Sequence, residues 1–226
     1  GNFSEFAWRS DSKAIRFVPG TSFPPGSPFL TGSKLPAGRV VNEVTLDGKR
    51  MALAALPDST WQPVGGRPSW PALHFIDDTL IALVSTEHLQ LVSATTGRVG
   101  RTVTWPAGKK YARGFDVTAD KQWMAVGLDE RNVLSGFPYL VSVKTGELRA
   151  IPNPLGGEIK QLAMDPAGRY MIVASCPTCL TREHWDIALL PFNGDPPRLL
   201  SAKDGKYLDA GAYSVSPDGR TVLYDA

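Results

Sequence analysis

Only two cysteines and three histidines occur in 226 residues, so few side chains are available for metal or redox chemistry. No stretch approaches the roughly 20 consecutive apolar residues that a membrane-spanning helix requires, and no direct membrane span is expected. There is no Gly-x-Ser-x-Gly nucleophile elbow of the kind a hydrolytic serine occupies. A phosphate-cradling loop is also missing, because Gly65-Gly66 and Gly156-Gly157 are isolated turn pairs with no helix after them. Nor is there an excess of either charge. The formal balance is +2, which argues against a nucleic-acid or anionic-membrane partner. The short basic run Lys109-Lys110-Tyr111, with Arg113, reads as a solvated charged turn. The chain starts Gly1-Asn2-Phe3, with no charged-then-apolar leader, so any signal peptide lies outside it. It stops on the strand-like run Val222 to Tyr224, and this suggests part of a longer protein.

What the sequence does have is punctuation. Its 22 glycines and 19 prolines are scattered between short apolar runs, the distribution expected of many short strands joined by turns. The clearest unit is VSPDGRTVLYDA at Val215 to Ala226, where Pro217-Asp218-Gly219 separates two strand-like runs. Glycine supplies the positive φ that tight hairpin turns need, so the segment reads as a β-hairpin. Five earlier segments resemble it: Trp8 to Phe17, Thr45 to Leu56, Phe75 to Ser85, Val117 to Leu128 and Met164 to Ser175. With Asp11, Asp47, Asp77, Asp120, Ala167 and Asp218 as equivalent turn positions, the steps average about 41 residues, the length of one four-stranded propeller blade. A second hairpin type falls between them, at Leu89 to Thr104, Tyr139 to Ile151 and Trp185 to Leu200, with Thr-Gly or Asn193-Gly194 at the turn. A β-sandwich or a lipocalin-like barrel would not give two alternating hairpin signatures at one period.

The expected fold is therefore all-β: a β-propeller of four-stranded antiparallel blades, about five in number, forming a single domain over 1–226. A Pro/Gly-rich connection over 19–38 interrupts it. The ring closes within the chain if strands around Phe3 to Arg9 and Ala14 to Val18 complete the last blade; otherwise the ring is incomplete. The SPDG hairpin, Ser216 to Gly219, resembles the WD40-like repeats of periplasmic TolB-type propellers and of prolyl-oligopeptidase propeller domains. The alternation of TTG or KTG turns with TADK or DPAG hairpins is similar to that of YncE-like and amine-dehydrogenase-like propellers of bacterial envelopes. This resemblance covers most of the chain from Leu73 onward and implies a periplasmic or extracellular protein. It specifies architecture far better than activity, since propellers host many unrelated functions.

Candidate chemistry is sparse. Cys176-Pro177-Thr178-Cys179 has the spacing of redox, zinc and haem motifs. A thioredoxin-like site needs a following helix, whereas strand-like Ile187 to Leu190 follows here. Haem attachment needs His where Leu180 stands. His184 makes a weak C-x2-C-x4-H metal set that lacks a clear fourth ligand. A small disulfide between Cys176 and Cys179, rigidifying a loop between the second and third strands of a blade, is the favoured reading and points outside the cytoplasm. His74 reads as a core or channel-facing residue of an apolar strand, and His88 as exposed in a turn. The segment DSTWQPVGGRPSW carries Trp61, Arg67 and Trp70 as a candidate recognition edge, although capping of a blade is the favoured reading of the same residues. The other tryptophans suit packing between blades.

With no catalytic constellation or cofactor evident, the leading expectation is a non-catalytic binding or scaffold protein of the bacterial cell envelope that holds a protein partner. The alternative is a propeller domain or subunit of an enzyme, either the gating domain of an S9-type serine peptidase or an amine-dehydrogenase-like subunit. A lactonase-type propeller with a channel metal would need inward carboxylate or amide ligands.

Overall fold

The computed structural model describes residues 6–18, 40–56, 72–130, 136–176, 186–200 and 213–224. Its regular elements are all strands: β1 (Phe6–Trp8), β2 (Ala14–Phe17), β3 (Val40–Thr45), β4 (Arg50–Ala55), β5 (Ala72–Phe75), β6 (Leu80–Val84), β7 (His88–Ser93), β8 (Val99–Thr104) and β9 (Lys109–Val117). They continue with β10 (Trp123–Glu130), β11 (Gly136–Ser142), β12 (Leu148–Ala150), β13 (Glu158–Met164), β14 (Tyr170–Cys176), β15 (Asp186–Pro191), β16 (Arg198–Leu199), β17 (Tyr213–Val215) and β18 (Val222–Tyr224). Four sheets each hold four consecutive strands, β1 to β4, β5 to β8, β9 to β12 and β13 to β16. The fifth holds β17 and β18. Among the described residues no helix is long and apolar enough to cross a membrane.

Two turn families make these sheets. The turns at Arg9 to Ala14, Thr118 to Trp123, Asp165 to Tyr170 and Ser216 to Thr221 share one hydrogen-bond plan, in which the fourth residue donates to the carbonyl of the first. That fourth residue is left-handed in every case, with φ of 57° at Ser12, 59° at Lys121, 69° at Gly168 and 66° at Gly219. Side-chain acceptors fix the turns: Asp11, Asp120 and Asp218 each take the N–H two residues on. This is the Asx-type local bonding that makes aspartate a turn residue. The turn at Asp77 is one residue shorter, and its carboxylate takes the N–H of Thr79 and of Leu80. The second family joins the third and fourth strands of the four-stranded sheets, with a left-handed Gly48, Gly97, Gly146 or Gly194. At Gly97 a Cβ would collide with the carbonyl oxygen of Ala55, so glycine is required there for space as well as for φ.

This topology corrects the repeat register read from the sequence. The Asp11 and Asp47 turns belong to one sheet, since β2 pairs with β3 in register Ala14↔Thr45 to Phe17↔Asn42. They are its two different hairpins and not successive copies of one. The long step from Asp11 to Asp77 is a single repeat lengthened by the Pro/Gly-rich connection, whose residues 19–38 lie outside the described ones. The strands around Ala7 and Ile15 accordingly join β3 and β4 and do not complete the last sheet.

The chain divides into two compact units, Gly1–Ser85 with Leu89–Thr102, and Thr86–His88 with Val103–Ala226. Within the first, Val18, Val41 and Leu56 pack against Leu73, Ile81, Leu83, Val92 and Ala94 in one buried cluster. The buried carboxylate of Glu43 sits between two guanidinium groups there, 2.8 Å from Arg9 Nη1 and 2.9 Å from Arg16 Nε. Within the second unit, Ala125, Leu140 and Ile151 meet Ile159, Leu162, Met171, Val173, Ala188 and Leu190. On the opposite face of β13 to β15, Ala163, Ile172, Ala174 and Ile187 pack with Val215 and Val222 of the last hairpin. Strands such as β14, apolar at nearly every position (YMIVASC), are explained by this two-faced burial.

Candidate functional site

The described structure concentrates polar chemistry of the second unit at its hairpin turns and leading strands. Asp165 is fully buried at the first position of the turn before β14, and Arg169 stands four residues on. The guanidinium grips the carboxylate in two-pronged fashion, Nε to Oδ2 at 2.6 Å and Nη2 to Oδ1 at 2.9 Å. The Arg169 contact holds the Asp165 carboxyl below the usual carboxylate range despite its burial. Nη2 also donates to the Asp218 carbonyl at 3.1 Å, and the Tyr170 hydroxyl donates to the Gly219 carbonyl at 2.7 Å. Burial raises the Tyr170 pKa, which keeps the phenol protonated as a donor. An ion pair with a buried carboxylate and an exposed guanidinium, together with the adjacent Tyr170 phenol, thus directs two donors at successive carbonyls of the next hairpin turn. The Asp165 and Arg169 spacing was present in the DPAGR run, but its reach to another repeat was not legible there.

A recess of about 420 Å³ lies against the leading strands β9, β13 and β17, with Phe115, Asp116, Gln161, Leu162 and Ser214 in its lining. Both β9 and β13 carry bulges immediately before these residues. Bulges of this kind re-aim side chains. At the β9 bulge Gly114 has φ +79°, and a Cβ would lie 2.8 Å from Leu162 Cγ, so only glycine lets β9 come this close to β13. Asp116 bridges the strands: Oδ1 accepts the Val117 N–H at 2.8 Å and Oδ2 the Met164 N–H at 2.7 Å. Its carboxylate is committed to structure, so the recess reads as a shaped, mixed polar and apolar surface rather than a base beside a nucleophile.

The residues singled out from sequence are scattered. Trp61, Arg67 and Trp70 lie outside the described residues, as do Cys179 and His184. Cys176 ends β14 and is buried. His74 is half-buried in β5. His88 is the first residue of β7 and half-buried, not an exposed turn residue, because the strand begins one position after Glu87. Lys109 to Arg113 likewise belong to strand β9 and not to a turn. Lys109 pairs with Glu130 at 2.6 Å and sits 3.4 Å from the centroid of the Phe137 ring, so this basic residue is absorbed within its own sheet. Of the tryptophans, Trp105 is buried and Trp123 packs against the second unit's core, but Trp8 is 55% exposed.

Repeated four-stranded antiparallel sheets with alternating hairpin types define the class: the chain has a β-propeller fold. No family model matches the sequence, and no curated protein matches it. Solved structures do. TolB from Acinetobacter baumannii aligns over 96% of this chain and 47% of its own, with 16% identity and a TM-score of 0.57. A putative TolB from Agrobacterium tumefaciens aligns over 98% of this chain and 68% of its own, with 15% identity and a TM-score of 0.61. An oligogalacturonate lyase in complex with manganese aligns over 98% and 61%, with 11% identity and a TM-score of 0.66. The chain therefore spans between about half and about two thirds of the length of these structures. The TolB-type resemblance seen in the SPDG hairpin holds at the level of fold.

Proposed function

We propose that this chain is a non-catalytic propeller that binds or scaffolds a protein partner in the bacterial cell envelope, with residues 1–226 acting as one propeller domain. The observation that carries the reading is the set of large apolar side chains left exposed on or beside the sheets. Trp8 and Met51 stand out in the first unit, and Leu199, Leu200 and Leu223 in the second. Contiguous exposed apolar surface favours protein contact, and the adjacent Leu199 and Leu200 supply it in the second unit. The turn chemistry described above is spent on holding hairpins together, which suits a platform. The periplasmic or extracellular setting follows from the sequence resemblance to envelope propellers. A Cys176–Cys179 disulfide is part of the same proposal, and Trp61, Arg67 and Trp70 remain its candidate recognition edge.

The test is affinity capture from envelope extracts, coupled to activity screening of the pure protein. Stoichiometric recovery of one partner, competed by untagged protein, supports the proposal. Failure to recover a partner, together with turnover of a small molecule, overturns it. The second reading, a propeller domain or subunit of an enzyme, is favoured by the partial coverage of an oligogalacturonate lyase. Visible absorbance from a quinone in the native complex, or a peptidase domain encoded in the same gene, would establish it.

A further inference from the structure

We propose that the recess beside β9, β13 and β17 is a binding site for a primary carboxamide, taken either as a glutamine or asparagine side chain or as a small free amide. The site goes beyond the protein-binding reading and stands independently of it.

One position in three successive leading strands defines it. The Thr118 N–H bonds the Trp123 carbonyl, the Asp165 N–H the Tyr170 carbonyl and the Ser216 N–H the Thr221 carbonyl, so the three turns begin alike. Two residues before these starts stand Asp116, Ala163 and Ser214, opposite Ala125, Ile172 and Leu223. Bonded and non-bonded pairs alternate along an antiparallel ladder. The residues in between, Val117, Met164 and Val215, therefore turn their N–H groups away from the second strand of each sheet. Asp116 satisfies two of them, Oδ1 accepting from Val117 at 2.8 Å and Oδ2 from Met164 at 2.7 Å.

One repeat on, Ala163 occupies the place of Asp116. Its methyl group packs with Ile172, Ala174 and Ile187, and it has no oxygen to offer Val215 as Asp116 offers one to Met164. Among the described residues nothing accepts the Val215 N–H. The recess of about 420 Å³ opens at this place, with Gln161, Ala163, Met164 and Val215 in its lining. A backbone donor without an acceptor there favours a ligand that brings one. Strand β18, and anything paired to it, lies along the other edge of β17.

Charge selects the acceptor. Asp116 carries the only charge among the described lining residues, and a second carboxylate beside it would meet like-charge repulsion. A carboxamide keeps the planar shape of a carboxylate and has no charge. Its carbonyl takes the Val215 N–H, and its NH2 donates to the side-chain oxygen of Gln161, which stands two residues before Ala163 on the same face of β13. Phe115, Leu162 and Pro166 supply apolar wall for the carbon skeleton.

The test follows the Val215 amide by NMR in the full 226-residue chain carrying nitrogen-15-labelled valine, with benzamide as probe. The expected result is a saturable downfield shift of that amide proton, with benzoate binding at least about tenfold more weakly. Val215→Pro removes the donor at a strand edge that tolerates proline, assigns the resonance by its loss, and should weaken benzamide binding about tenfold by calorimetry. Ala163→Asp gives the chain its own carboxylate at this place and should abolish binding, with thermal unfolding showing that the variant is folded. N-acetyl-glutamine N-methylamide that competes with benzamide identifies a protein side chain as the source, and benzamide binding without such competition identifies a small free amide; either upholds the site. The proposal is overturned if the Val215 amide does not move at millimolar benzamide, if benzoate binds as tightly as benzamide, or if a folded Val215→Pro protein binds in full. None of these readouts needs an envelope partner, so failure of the proposed function leaves the site standing, and failure of the site leaves the proposed function standing.

Discussion

The Tyr170 hydroxyl reaches from one sheet to the next and donates to the Gly219 carbonyl at 2.7 Å, while Arg169 of the same strand start holds the Asp218 carbonyl. The last hairpin is thereby held by its turn as well as by Val215 and Val222. Other turns are linked in related ways: Ala119 N–H donates to the Pro166 carbonyl at 2.9 Å, and Ser10 N–H to Asp78 Oδ1 at 3.0 Å.

Replacing Arg169 with Ala strands the buried Asp165 carboxylate and releases the Asp218 carbonyl. Because Arg169 itself is largely exposed, the unfolding midpoint is expected to fall, but by less than breaking a fully buried pair would lower it. Calorimetric unfolding measures it, and faster exchange confined to 213–224 would localise the effect.

Gly219 and Gly48 both have positive φ, 66° and 83°. A Cβ at Gly48 meets nothing within 4 Å, so Gly48→Ala should cost only the left-handed penalty of about 1–2 kcal/mol. A Cβ at Gly219 collides with the Asp165 carboxylate and the Arg169 guanidinium, so Gly219→Ala should cost about 3 kcal/mol or more by displacing the clamp. Equal thermal shifts for the two variants would contradict the close approach.

Glu43 is buried between Arg9 and Arg16, with the Arg16 side chain 11% exposed. Glu43→Ala leaves a guanidinium largely buried without its counter-charge and should destabilise the protein by about 3 kcal/mol. Denaturant unfolding of the variant measures this directly.

Acid should loosen the turns. Asp11 is lowered from 3.8 to about 2, first by the Arg9 hydrogen bond and then by the Lys13 N–H. Asp47, Asp120 and Asp218 are lowered by Thr45, Thr118 and Ser216 hydroxyls, and Asp165 by Arg169. A carboxyl whose folded pKa lies below its unfolded value contributes stability above the unfolded value and loses it as pH falls through the folded one. The thermal midpoint is therefore expected to hold down to about pH 4 and fall toward pH 2, with a shallower fall in Asp165→Asn.

Alkylation under non-reducing denaturing conditions should leave Cys176 and Cys179 unmodified, and two alkyl groups should appear only after reduction. Immediate double labelling of oxidatively purified protein would remove the disulfide from the proposal.

The hairpins were legible in the sequence because their signals are local: an Asp that bonds the N–H two residues on, and a Gly or tolerant residue in the left-handed region. Ser12 and Lys121 adopt that region without glycine, which is why the pattern had to be read from Asp11 and Asp120 instead. The register of the first sheet was not legible. Asp11 and Asp47 look alike along the chain, and only the long-range pairing of β2 with β3 shows that they close different hairpins of one sheet. His88 and Lys109 were misplaced for a similar reason, since single polar residues at strand starts are indistinguishable from turn residues until pairing is known. The clamp from Arg169 to Asp218 spans 49 residues, beyond any local pattern.

The most direct test of the central claim is site-specific photocrosslinking in the native envelope, with the reactive side chain at position 200 and, as control, at exposed position 144. The account expects one discrete crosslinked protein from position 200 and none from position 144. No crosslink at position 200, or the same products from both positions, would contradict it.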